Sequence, residues 1–371
     1  MRVAIVYDRV NKWGGAERVL LALQRIFPSA HLFTSVYNEK KAPWALRNFG
    51  QAIKTSFLQK FPLAKNYHQL YASLMPLAFE NLNFDRYDLV ISVTSEAAKG
   101  IITKPYTNHI CFCLTPTRYL WSGYDFYFKN PILRNFSRPI VSYLKTWDKI
   151  ASLRPDSYIA ISKKVQKRIK KYYGRTSKVI YPPIGFGLGI EASIDKRQTS
   201  DDTGIQNENK NYFLVVSRLV PYKRVDIAIK ACNKLKLPLK IVGTGSQEWF
   251  LRLIAGSNVE FLGKVSDEKL LSLYQNCKAL IFPGIEDFGL VMAEAQSVGA
   301  PVIAYRQGGA KEIIKEGKTG EFFNKQDPNS LASVLEKWDY KIYNRDLILK
   351  NSQRFSFGNF KAGILNAVKN L

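Results

Sequence analysis

The sequence has few of the residues that build metal sites and disulfide frameworks. Its 371 residues include 4 Cys and 3 His. Disulfide frameworks belong to short secreted chains with many regularly spaced cysteines, so none is expected here. Three widely separated histidines do not form a metal-ligand cluster by spacing. We therefore expect a reducing, cytoplasmic environment and no bound metal.

Long hydrophobic stretches are also missing. No apolar run approaches the ~18–20 residues that a membrane-spanning helix needs. The first residues lead directly into the strand-like segment Val3–Tyr7, without a signal-peptide pattern. With 371 residues, the chain is long enough for two domains that each have their own core.

Acidic residues are scarce relative to basic ones. The chain has 55 Lys and Arg against 30 Asp and Glu, a net charge of +25. Residues 1–185 hold 29 basic and 10 acidic residues, net +19, whereas the remainder is net +6. The segment from Tyr127 to Lys178 has 14 basic and 2 acidic residues, beside apolar ones such as Phe128, Ile132, Phe136 and Trp147. This asymmetry predicts an anionic partner for the first half, and we expect the inner face of the cell membrane. The alternative is that the lysines only keep the protein soluble.

What the sequence does contain is a repeated alternation of short apolar segments with helical patterns. Such segments are typical of buried parallel strands, and the intervening helical patterns indicate crossover connections. The first half has five, at Val3–Tyr7, His31–Val36, Leu89–Val93, Ile110–Leu114 and Tyr158–Ile161. The second half has five more, at Tyr212–Val216, Leu239–Val242, Val259–Leu262, Leu280–Phe282 and Val302–Tyr305. The prediction is an α/β protein with two doubly wound parallel sheets.

Breaks in this alternation set the predicted domain boundaries. The first domain is predicted at residues 1–185 and the second at 211–354. Residues 186–210 are polar, contain glycine and lack a hydrophobic period, which predicts a linker or flexible loop. A terminal helix is predicted at 355–371. Two α/β domains imply a ligand cleft between them.

Candidate site residues are those in loops that follow the predicted strands, because ligands bind at that edge of a doubly wound sheet. In the first domain, Gly14 and Gly15 precede a helix whose free amides favour anions, although a structural turn explains two glycines equally well. The polar, aromatic loop after Ile110–Leu114 holds Arg118 and Asp125.

The second domain has a more charged edge. Arg218 and Lys223 follow its first strand and suit a diphosphate, which an arginine binds with two parallel hydrogen bonds and a lysine as a point charge. Gly243 and Gly245 follow the next strand and allow a ligand to approach the backbone closely.

Residues 281–300 hold a pair of carboxylates. Glu286 lies at the entrance of a predicted helix and Glu294 lies inside it, eight positions later. At ~1.5 Å rise per residue the two are on the order of 10 Å apart, a span suited to the two ends of an extended ligand. Alternatively, Glu286 interacts with the helix dipole and Glu294 is an ordinary solvated helix residue.

These motifs, taken in order, resemble glycosyltransferase family 4, the retaining group 1 enzymes of the GT-B fold. The matching residues are Gly14-Gly15-Ala16-Glu17, Thr115-Pro116-Thr117-Arg118-Tyr119, Tyr181-Pro182-Pro183, Arg218 with Lys223, Gly243-Thr244-Gly245, and Glu286 with Glu294. They extend along nearly the whole chain. Within the family, the sequence most resembles bacterial mannosyltransferases of surface-polysaccharide assembly.

The resemblance implies a GT-B fold, in which two Rossmann-like domains face each other across a cleft. The first domain then binds the acceptor and the second the nucleotide sugar. The implied catalytic residues are Glu286, Arg218 and Lys223. The implied donor contacts are Gly14, Gly15, Gly243, Gly263, Lys264, Val265, Asp287, Phe288, Gly289, Leu290 and Glu294. Among them, the resemblance implies that Glu294 contacts the ribose and that Gly263, Lys264 and Val265 lie at the base. On the acceptor side, the implied residues are Arg118, Tyr119 and Asp125.

One position departs from the family pattern. Many relatives have a histidine directly before the Thr-Pro pair, where this chain has Leu114. Either His109 or Asp125 replaces it, or the reaction does not need the imidazole. No Asp-x-Asp metal motif occurs in a suitable place, because Asp201-Asp202 lies in the predicted linker and Asp85 and Asp88 have the wrong spacing. We therefore expect a metal-independent hexosyltransferase.

The expected partners are a nucleotide sugar, with GDP-mannose favoured over a UDP sugar, and a saccharide or lipid-linked acceptor. Two other classes of protein share some of these features. A nicotinamide-dependent oxidoreductase would need the GxGxxG loop that is absent here. A nucleic-acid-binding α/β protein would account for the charge but not for two sets of ligand-edge residues.

Overall fold

The computed structural model describes residues 1–184 and 210–371, without the side chains of Phe126 and Leu133. Except for Lys210, the predicted linker at 186–210 lies outside the described residues. The described chain divides into two compact units. Unit 1 comprises Met1–Pro182 and Phe360–Leu371, and unit 2 comprises Pro183–Asn359. The assignment of acceptor binding to one domain and donor binding to the other stays a prediction.

Unit 1 is built on a parallel sheet of seven described strands. These are β1 (Val3–Tyr7), β2 (His31–Thr34), β3 (Ile53–Thr55), β4 (Leu89–Thr94), β5 (Asn108–Cys113), β6 (Ser157–Ala160) and β7 (Lys178–Val179). Their order in the sheet is β3-β2-β1-β4-β5-β6-β7, and every pairing is parallel. β1 and β4 are buried at every position, which explains their predominantly apolar sequences.

Helices cover this sheet. They are α1 (Gly15–Ile26), α2 (Pro43–Phe49), α3 (Met75–Glu80), α4 (Tyr124–Tyr127), α5 (Pro131–Ala151) and α6 (Lys163–Tyr173). Short 3₁₀ turns lie at Gly50–Ala52, Phe57–Lys60, His68–Leu74 and Ala98–Gly100. Within the described parts of the chain, no helix is both long enough and apolar enough to cross a membrane.

Helix α6 shows how local sequence sets these elements. The Ser162 hydroxyl caps its start by accepting a hydrogen bond from Val165 N at 3.1 Å. Val165, Ile169 and Tyr173, spaced four apart, form its buried side. The helix ends at Gly174, whose φ of 70° lies in the left-handed region that glycine adopts without strain.

Unit 2 has a parallel sheet of six described strands. These are β8 (Phe213–Val216), β9 (Leu239–Val242), β10 (Val259–Gly263), β11 (Leu280–Phe282), β12 (Val302–Tyr305) and β13 (Gly320–Phe323), in the order β10-β9-β8-β11-β12-β13. Its helices are α7 (Val225–Leu235), α8 (Glu248–Leu253), α9 (Asp267–Asn276), α10 (Leu290–Ser297), α11 (Ala310–Ile313), α12 (Pro328–Glu336) and α13 (Arg345–Ser352). A 3₁₀ turn spans Pro221–Lys223, and two more span Tyr340–Ile342 and Gln353–Phe355.

The terminal helix α14 (Phe357–Lys369) returns the chain to unit 1, which includes its residues from Phe360 onwards. The Phe360 ring lies 5.8 Å from the Phe112 ring of β5, centre to centre. A Cβ on Gly363 would lie 3.1 Å from Ile180. The last helix is therefore closely packed against the sheet of the first unit.

The predicted α/β class with two doubly wound parallel sheets is confirmed. All ten predicted strands are present, with ends shifted by no more than two residues. The sequence missed β3, β7 and β13, each of which is the outermost strand on one side of its sheet. Polar residues such as Lys54, Lys178 and Glu321 are tolerated on such strands, and they interrupt the apolar signal.

A buried network of charged and polar groups joins three parts of unit 1. Lys99 and Asp148 are each 1% exposed, and Lys99 Nζ lies 2.5 Å from Asp148 Oδ1. The same carboxylate accepts hydrogen bonds from Thr117 Oγ1 at 2.9 Å, Trp121 Nε1 at 2.7 Å and the Tyr173 hydroxyl at 2.9 Å. Asp148 on α5 thus fixes the loop after β5 to α6.

We expect Asp148→Ala to lower the free energy of unfolding by about 3–5 kcal/mol, because it leaves Lys99 as an uncompensated buried charge. Urea denaturation followed by tryptophan fluorescence measures the change. The matched control is Glu248→Ala, which removes the partner of Arg252 in an i,i+4 pair on unit 2, with 2.8 Å between Arg252 Nη2 and Glu248 Oε1. A partly exposed pair of this kind contributes roughly 0.3–0.5 kcal/mol. Equal losses in the two variants would contradict the role given to Asp148.

Candidate functional site

In unit 2 the strand order reverses between β8 and β11. β9 and β10 follow on one side of β8, and β12 and β13 follow on the other side of β11. Loops that leave the carboxyl ends of the two central strands therefore diverge, and ligands of open α/β sheets bind between them. The loop after β8 carries Arg218 and Lys223, and the loop after β11 carries Glu286. The three predicted catalytic residues thus flank the reversal.

The structure joins Lys223 and Glu286 in a direct ion pair. Lys223 ends the turn Pro221–Lys223, and its Nζ lies 5.8 Å from the centre of the Phe282 ring. The side chains of Lys223 and Glu286 are 12% and 21% exposed. An anion that reaches Lys223 therefore meets a largely desolvated cation, whose attraction is stronger than that of a hydrated surface lysine.

Arg218 lies on the same loop and is exposed. Its Nη2 donates a hydrogen bond to the Tyr222 hydroxyl at 2.6 Å. Because Tyr222 belongs to the turn that ends at Lys223, this bond ties the guanidinium to the segment that carries the second cation. The loop after β8 therefore presents two positive charges at the carboxyl edge.

Close packing between loops requires glycine at positions 243 and 245, a reason that the sequence did not reveal. A Cβ on Gly243 would lie 1.9 Å from the Ser217 carbonyl oxygen, and one on Gly245 would lie 2.3 Å from that of Leu219. Leu219 N also donates to Thr244 O at 3.0 Å. The loops after β8 and β9 pack backbone against backbone and so require glycine. A donor contact at Gly243 stays a prediction.

Gly263 ends β10, two strands away from β8, and Lys264 and Val265 follow it. Gly263 has a φ of 62°, and its carbonyl accepts a hydrogen bond from Gly243 N at 2.8 Å. Lys264 is exposed and Val265 is half-buried. These residues share the carboxyl edge of the sheet with the ion pair. Their contact with a nucleotide base stays a prediction.

The loop after β11 is fixed by the loop after β12. Gly309 N donates to Glu286 O at 3.0 Å, and a Cβ on Gly309 would lie 1.9 Å from the Phe288 carbonyl oxygen. Asp287 and Phe288 are buried, and Gly289, with a φ of 95°, precedes α10, which begins at Leu290. The predicted donor-binding segment 286–290 thus leads directly to the amino end of a helix.

Glu294 lies inside α10 and is 1% exposed. The Tyr274 hydroxyl donates a hydrogen bond to its Oε2 at 3.2 Å. The alternative that Glu294 is an ordinary solvated helix residue is therefore wrong. Burying a carboxylate costs stability unless it is bonded, and the Tyr274 hydroxyl supplies one such bond. The predicted ribose contact itself stays untested.

Unit 1 has a reversal of its own, between β1 and β4, which the sequence did not identify as a site. Asp8 directly follows β1 and is buried. Its carboxylate accepts hydrogen bonds from Thr94 Oγ1 at 2.8 Å, Ser95 N at 2.7 Å and Ala98 N at 2.9 Å, all after or at the end of β4. Burial raises the pKa of Asp8, and the amides of Ala98 and Ser95 oppose the rise.

Two more charged groups lie at this reversal. Arg9 Nη1 and Glu96 Oε1 are 2.7 Å apart, and both side chains are mostly shielded. The signal available in the sequence was position alone, because Arg9 comes two residues after β1 and Glu96 two residues after β4. Without knowledge of which strands are central, that signal does not distinguish them from other loop residues.

Gly14 and Gly15 stand at the start of α1, as predicted from the sequence. Gly14 has an extended backbone with a φ of 177°, and a Cβ there would lie 3.2 Å from Glu17 Oε2. Glu17 is buried and accepts a hydrogen bond from the Tyr7 hydroxyl at 2.7 Å. Burial, followed by the charge of Glu17, raises the pKa of Tyr7. Small residues at 14 and 15 thus leave the amino end of α1 open.

The predicted acceptor-side residues are not all in similar surroundings. Arg118 and Tyr119 are half-buried in the loop held by Asp148. Burial and then the charge of Glu96 raise the pKa of Tyr119. Asp125 is on the exposed α4 and pairs with Arg134 at 3.5 Å between Oδ1 and Nη1. Arg118 and Tyr119 therefore belong to the ordered loop, whereas Asp125 belongs to the surface.

His109 does not replace the histidine absent at Leu114. It lies near the beginning of β5, whereas ligands bind at the carboxyl ends of the strands. It is fully buried, and its Nε2 and the Ser92 hydroxyl are 2.8 Å apart. Burial, followed by the charge of Arg154, lowers the pKa of His109 to about 3. His109 is a core residue.

Helix α5 carries the exposed apolar residues of the basic segment. Ile132, Phe136, Ile140 and Tyr143 are exposed at spacings of four, four and three, which place them on one side of the helix. Trp147, grouped with this surface from the sequence, instead packs inward. Its Nε1 donates to Glu80 Oε1 at 2.7 Å, and a Cβ on Gly100 would lie 2.3 Å from its ring.

No group of three or more His, Cys, Asp and Glu residues that could hold a metal ion is found at 1–184 or 210–371. The metal independence expected from the sequence stays a prediction.

Comparison with known proteins shows which family the region around this site resembles. Residues 196–341 match the model of the family described as Glycosyl transferases group 1. An uncharacterized glycosyltransferase of Methanocaldococcus jannaschii is 29% identical over 214 residues, which cover 56% of each chain. The O-antigen chain mannosyltransferase C of Escherichia coli is 30% identical over 208 residues, 53% of each chain. The matches span 56%, 62% and 47% of the lengths of the first three curated relatives.

The fold extends over the whole chain. The crystal structure of Anabaena HepE in complex with UDP-glucose superposes with a TM-score of 0.68 and covers 100% of both chains at 22% identity. This likeness shows the fold, and the predicted GT-B fold is confirmed. The predicted resemblance to group 1 glycosyltransferases is likewise confirmed, and the matched region contains all three predicted catalytic residues.

We expect Gly309→Ala to destabilise unit 2 by roughly 1–3 kcal/mol, because the new methyl group overlaps the Phe288 carbonyl and forces the backbone to shift. Thermal unfolding with and without the donor nucleotide measures the effect. The matched control is Gly358→Ala in α14, where the nearest atom to a new Cβ is 3.9 Å away. That variant should be neutral or slightly stabilised. A melting temperature for Gly309→Ala equal to wild type would show that the loops do not press on each other.

Proposed function

We propose, from the match of residues 196–341 to the glycosyl transferases group 1 family, that the protein is a retaining hexosyltransferase. It transfers a hexose from a nucleotide sugar to a saccharide or lipid-linked acceptor in the synthesis of a cell-surface polysaccharide or glycolipid. One observation carries the proposal: the Lys223–Glu286 pair lies at the strand reversal within the family region.

The proposed chemistry is electrostatic. As the bond between sugar and diphosphate breaks, negative charge accumulates on the leaving diphosphate. Lys223 and Arg218 supply fixed positive charge beside it, and the amino end of α10 supplies free amides and a favourable dipole. Because these groups are in place before the substrate arrives, they stabilise the transition state without reorganising.

Further contacts are assigned to the sugar and the nucleoside. Glu286, with the backbone from Asp287 to Leu290, contacts the transferred sugar and its phosphate. Glu294 binds the ribose hydroxyls, and the segment 263–265 holds the base. Gly14 and Gly15 contribute from the first domain, and Arg118 and Tyr119 lie on the acceptor side. We propose that no divalent metal is needed, because Arg218 and Lys223 provide the positive charge.

The proposed donor is GDP-mannose. The mannosyltransferase relative from Escherichia coli supports it, since its matched part is 30% identical to this chain. A UDP sugar is the second candidate, supported by HepE, whose structure contains UDP-glucose. None of the residues assigned to the base distinguishes guanine from uracil, so the donor is decided by experiment.

We expect Lys223→Met to lower kcat on the order of a hundredfold with GDP-mannose, because one fixed cation is lost beside the leaving diphosphate. Transfer is first measured for the wild-type enzyme, with GDP-mannose and UDP-glucose as donors and with octyl α-mannoside and a lipid diphosphate-linked sugar as acceptors. Lys223→Met is then measured under the same conditions. The matched control is Lys240→Met. In the wild type, Lys240 Nζ on β9 lies 3.4 Å from Glu260 on the neighbouring strand β10. The control variant should retain wild-type kcat.

Several outcomes would contradict this assignment. Wild-type turnover by Lys223→Met would remove Lys223 from the site. Loss of wild-type activity in EDTA and its return with Mg²⁺ would refute metal independence. An inverted anomeric configuration in the product, determined by NMR, would refute the retaining mechanism.

We also propose that the protein binds peripherally to the anionic inner face of the cell membrane. The exposed apolar side of α5, with Phe136 81% exposed, is suited to the boundary of a bilayer. Arg134 and Arg138 on the same helix and the exposed lysines of α6 supply positive charge. A lipid-linked acceptor would then be met at the surface on which it resides.

We expect replacement of Lys163, Lys167, Lys170 and Lys171 by Gln to weaken binding to phosphatidylglycerol vesicles at least on the order of a hundredfold. Each basic residue near an anionic surface contributes about 1 kcal/mol, and the attraction falls with salt. Vesicle sedimentation at low and high salt measures it. The matched control replaces four exposed lysines of unit 2, Lys311, Lys315, Lys318 and Lys325.

A second comparison tests the apolar contribution of α5. Phe136→Ser should weaken binding, whereas Ile342→Ser, at a residue 67% exposed on unit 2, should not. Equal sedimentation with phosphatidylcholine and phosphatidylglycerol vesicles at low salt would mean that the basic surface only keeps the protein soluble.

A further inference from the structure

The chain has three histidines. In two of them, a ring nitrogen is within hydrogen-bond distance of a hydroxyl group of another residue. His31 begins β2, and its Nδ1 lies 2.5 Å from the Tyr87 hydroxyl. His109 lies near the beginning of β5 and pairs with Ser92. Both are at or near the amino ends of strands, the opposite edge from the one where ligands bind. His68 is the remaining imidazole.

His68 begins the turn His68–Leu74, which follows a segment fixed at the carboxyl edge of the first sheet. Asn11, four residues after β1, donates from its Nδ2 to Lys65 O at 3.2 Å. Asn38, four residues after β2, donates from its Nδ2 to Asn66 Oδ1 at 3.0 Å. Loops after two neighbouring strands thus hold the residues that immediately precede His68.

The chemical state of His68 differs from that of a surface histidine. It is 5% exposed, and its Nδ1 is covered and has no hydrogen-bond partner within the part of the chain that the structure describes. Burial, followed by the charges of Arg9 and Lys12, lowers the pKa of His68 to about 3. The imidazole is therefore neutral at physiological pH, with one nitrogen that donates and one that accepts.

The covered nitrogen determines the tautomer. A buried N–H without a partner is rarer in proteins than an under-used acceptor, so the proton belongs on Nε2 and the lone pair on Nδ1. Nε2 is the ring nitrogen that is not among the covered ones. His68 therefore presents a neutral N–H donor, suited to an uncharged oxygen such as a sugar hydroxyl.

We propose that His68 is an acceptor-binding residue, whose Nε2 donates a hydrogen bond to a hydroxyl oxygen of the acceptor sugar. This inference rests on the proposed transferase function and adds an acceptor contact to it. It gives a role to a buried, neutral histidine whose preceding residues are held by the loops after β1 and β2. The contact orients the acceptor, and no proton transfer by His68 is involved.

The test is a comparison of His68→Leu with His68→Gln. The Leu variant removes the hydrogen-bond donor of the imidazole. We expect kcat/KM for the acceptor, octyl α-mannoside or the lipid diphosphate-linked sugar, to fall about tenfold. The Gln variant places an amide N–H near the position of Nε2 and should recover part of the loss. KM for the nucleotide sugar and its hydrolysis without acceptor should not change, because those steps do not involve the acceptor.

Matched controls separate this role from a structural one. His31→Leu, at the opposite edge of the same sheet, should leave the acceptor KM unchanged. Thermal unfolding reports whether each variant is folded. If His68→Leu does not fold, NMR of the wild-type protein with ¹⁵N-labelled histidine is used instead, because only three imidazole rings need to be resolved. Addition of acceptor should shift the ring signals of His68 but not those of His31.

The outcomes are distinguishable from failure of the function itself. If the wild-type protein transfers no sugar from any donor, the proposed function fails. If it does transfer sugar but His68→Leu keeps the wild-type acceptor KM, or acceptor leaves the His68 ring signals unmoved, the inference about His68 is wrong and the function stands.

Discussion

The reversal of strand order in a doubly wound parallel sheet is the constraint on which this structure depends. Crossover connections are right-handed, so the helices that follow the two central strands lie on opposite faces of the sheet, and the loops that lead to them diverge. In sheets of this kind the divergence leaves an opening at the carboxyl edge. In unit 2, between β8 and β11, Lys223 and Glu286 meet across it. In unit 1, between β1 and β4, the Asp8 carboxylate bridges it.

Charges near these openings are held by different means. Asp8 accepts several backbone and hydroxyl hydrogen bonds, and Asp148 is paired with Lys99 and with three further donors. Such fully bonded carboxylates fix loops, because removing any partner leaves an unsatisfied buried group. Glu286 is 21% exposed, whereas Asp8 and Asp148 are buried. The physical distinction between scaffold and site is therefore access to solvent and not the residue type.

Much of the fold was predictable from sequence because its central strands are buried on both faces. Predominantly apolar runs such as Leu89–Val93 are typical of such strands, whereas edge strands such as β3, which contains Lys54, give no such signal. Arg218, Lys223 and Glu286 were predictable for a related reason, since each follows a strand within a few residues. Their pairing was not, because it depends on which strands are neighbours.

Other parts of the site depend on contacts that are distant in the sequence. Asp148 lies in the last turn of α5 and looks like any helix carboxylate, yet it is the centre of a network with residues 117, 121 and 173. His68 lies in an aromatic stretch that resembles core, and only the loops after β1 and β2 bring it to the edge. Gly243 was predicted for contact with a ligand, but the Ser217 backbone already requires it.

The Lys223–Glu286 pair has a consequence for how an anion binds. A lysine alone at this depth would lose its hydration without compensation. Glu286 compensates for that loss by pairing with Lys223, and the ion pair orients the ammonium. An arriving diphosphate therefore finds an oriented, partly desolvated cation, although it must also come close to a carboxylate. That repulsion is weakest for a ligand that places a neutral sugar against Glu286 and its phosphates against Lys223. The pair thus favours a ligand that has both a neutral sugar and a diphosphate over a free nucleotide.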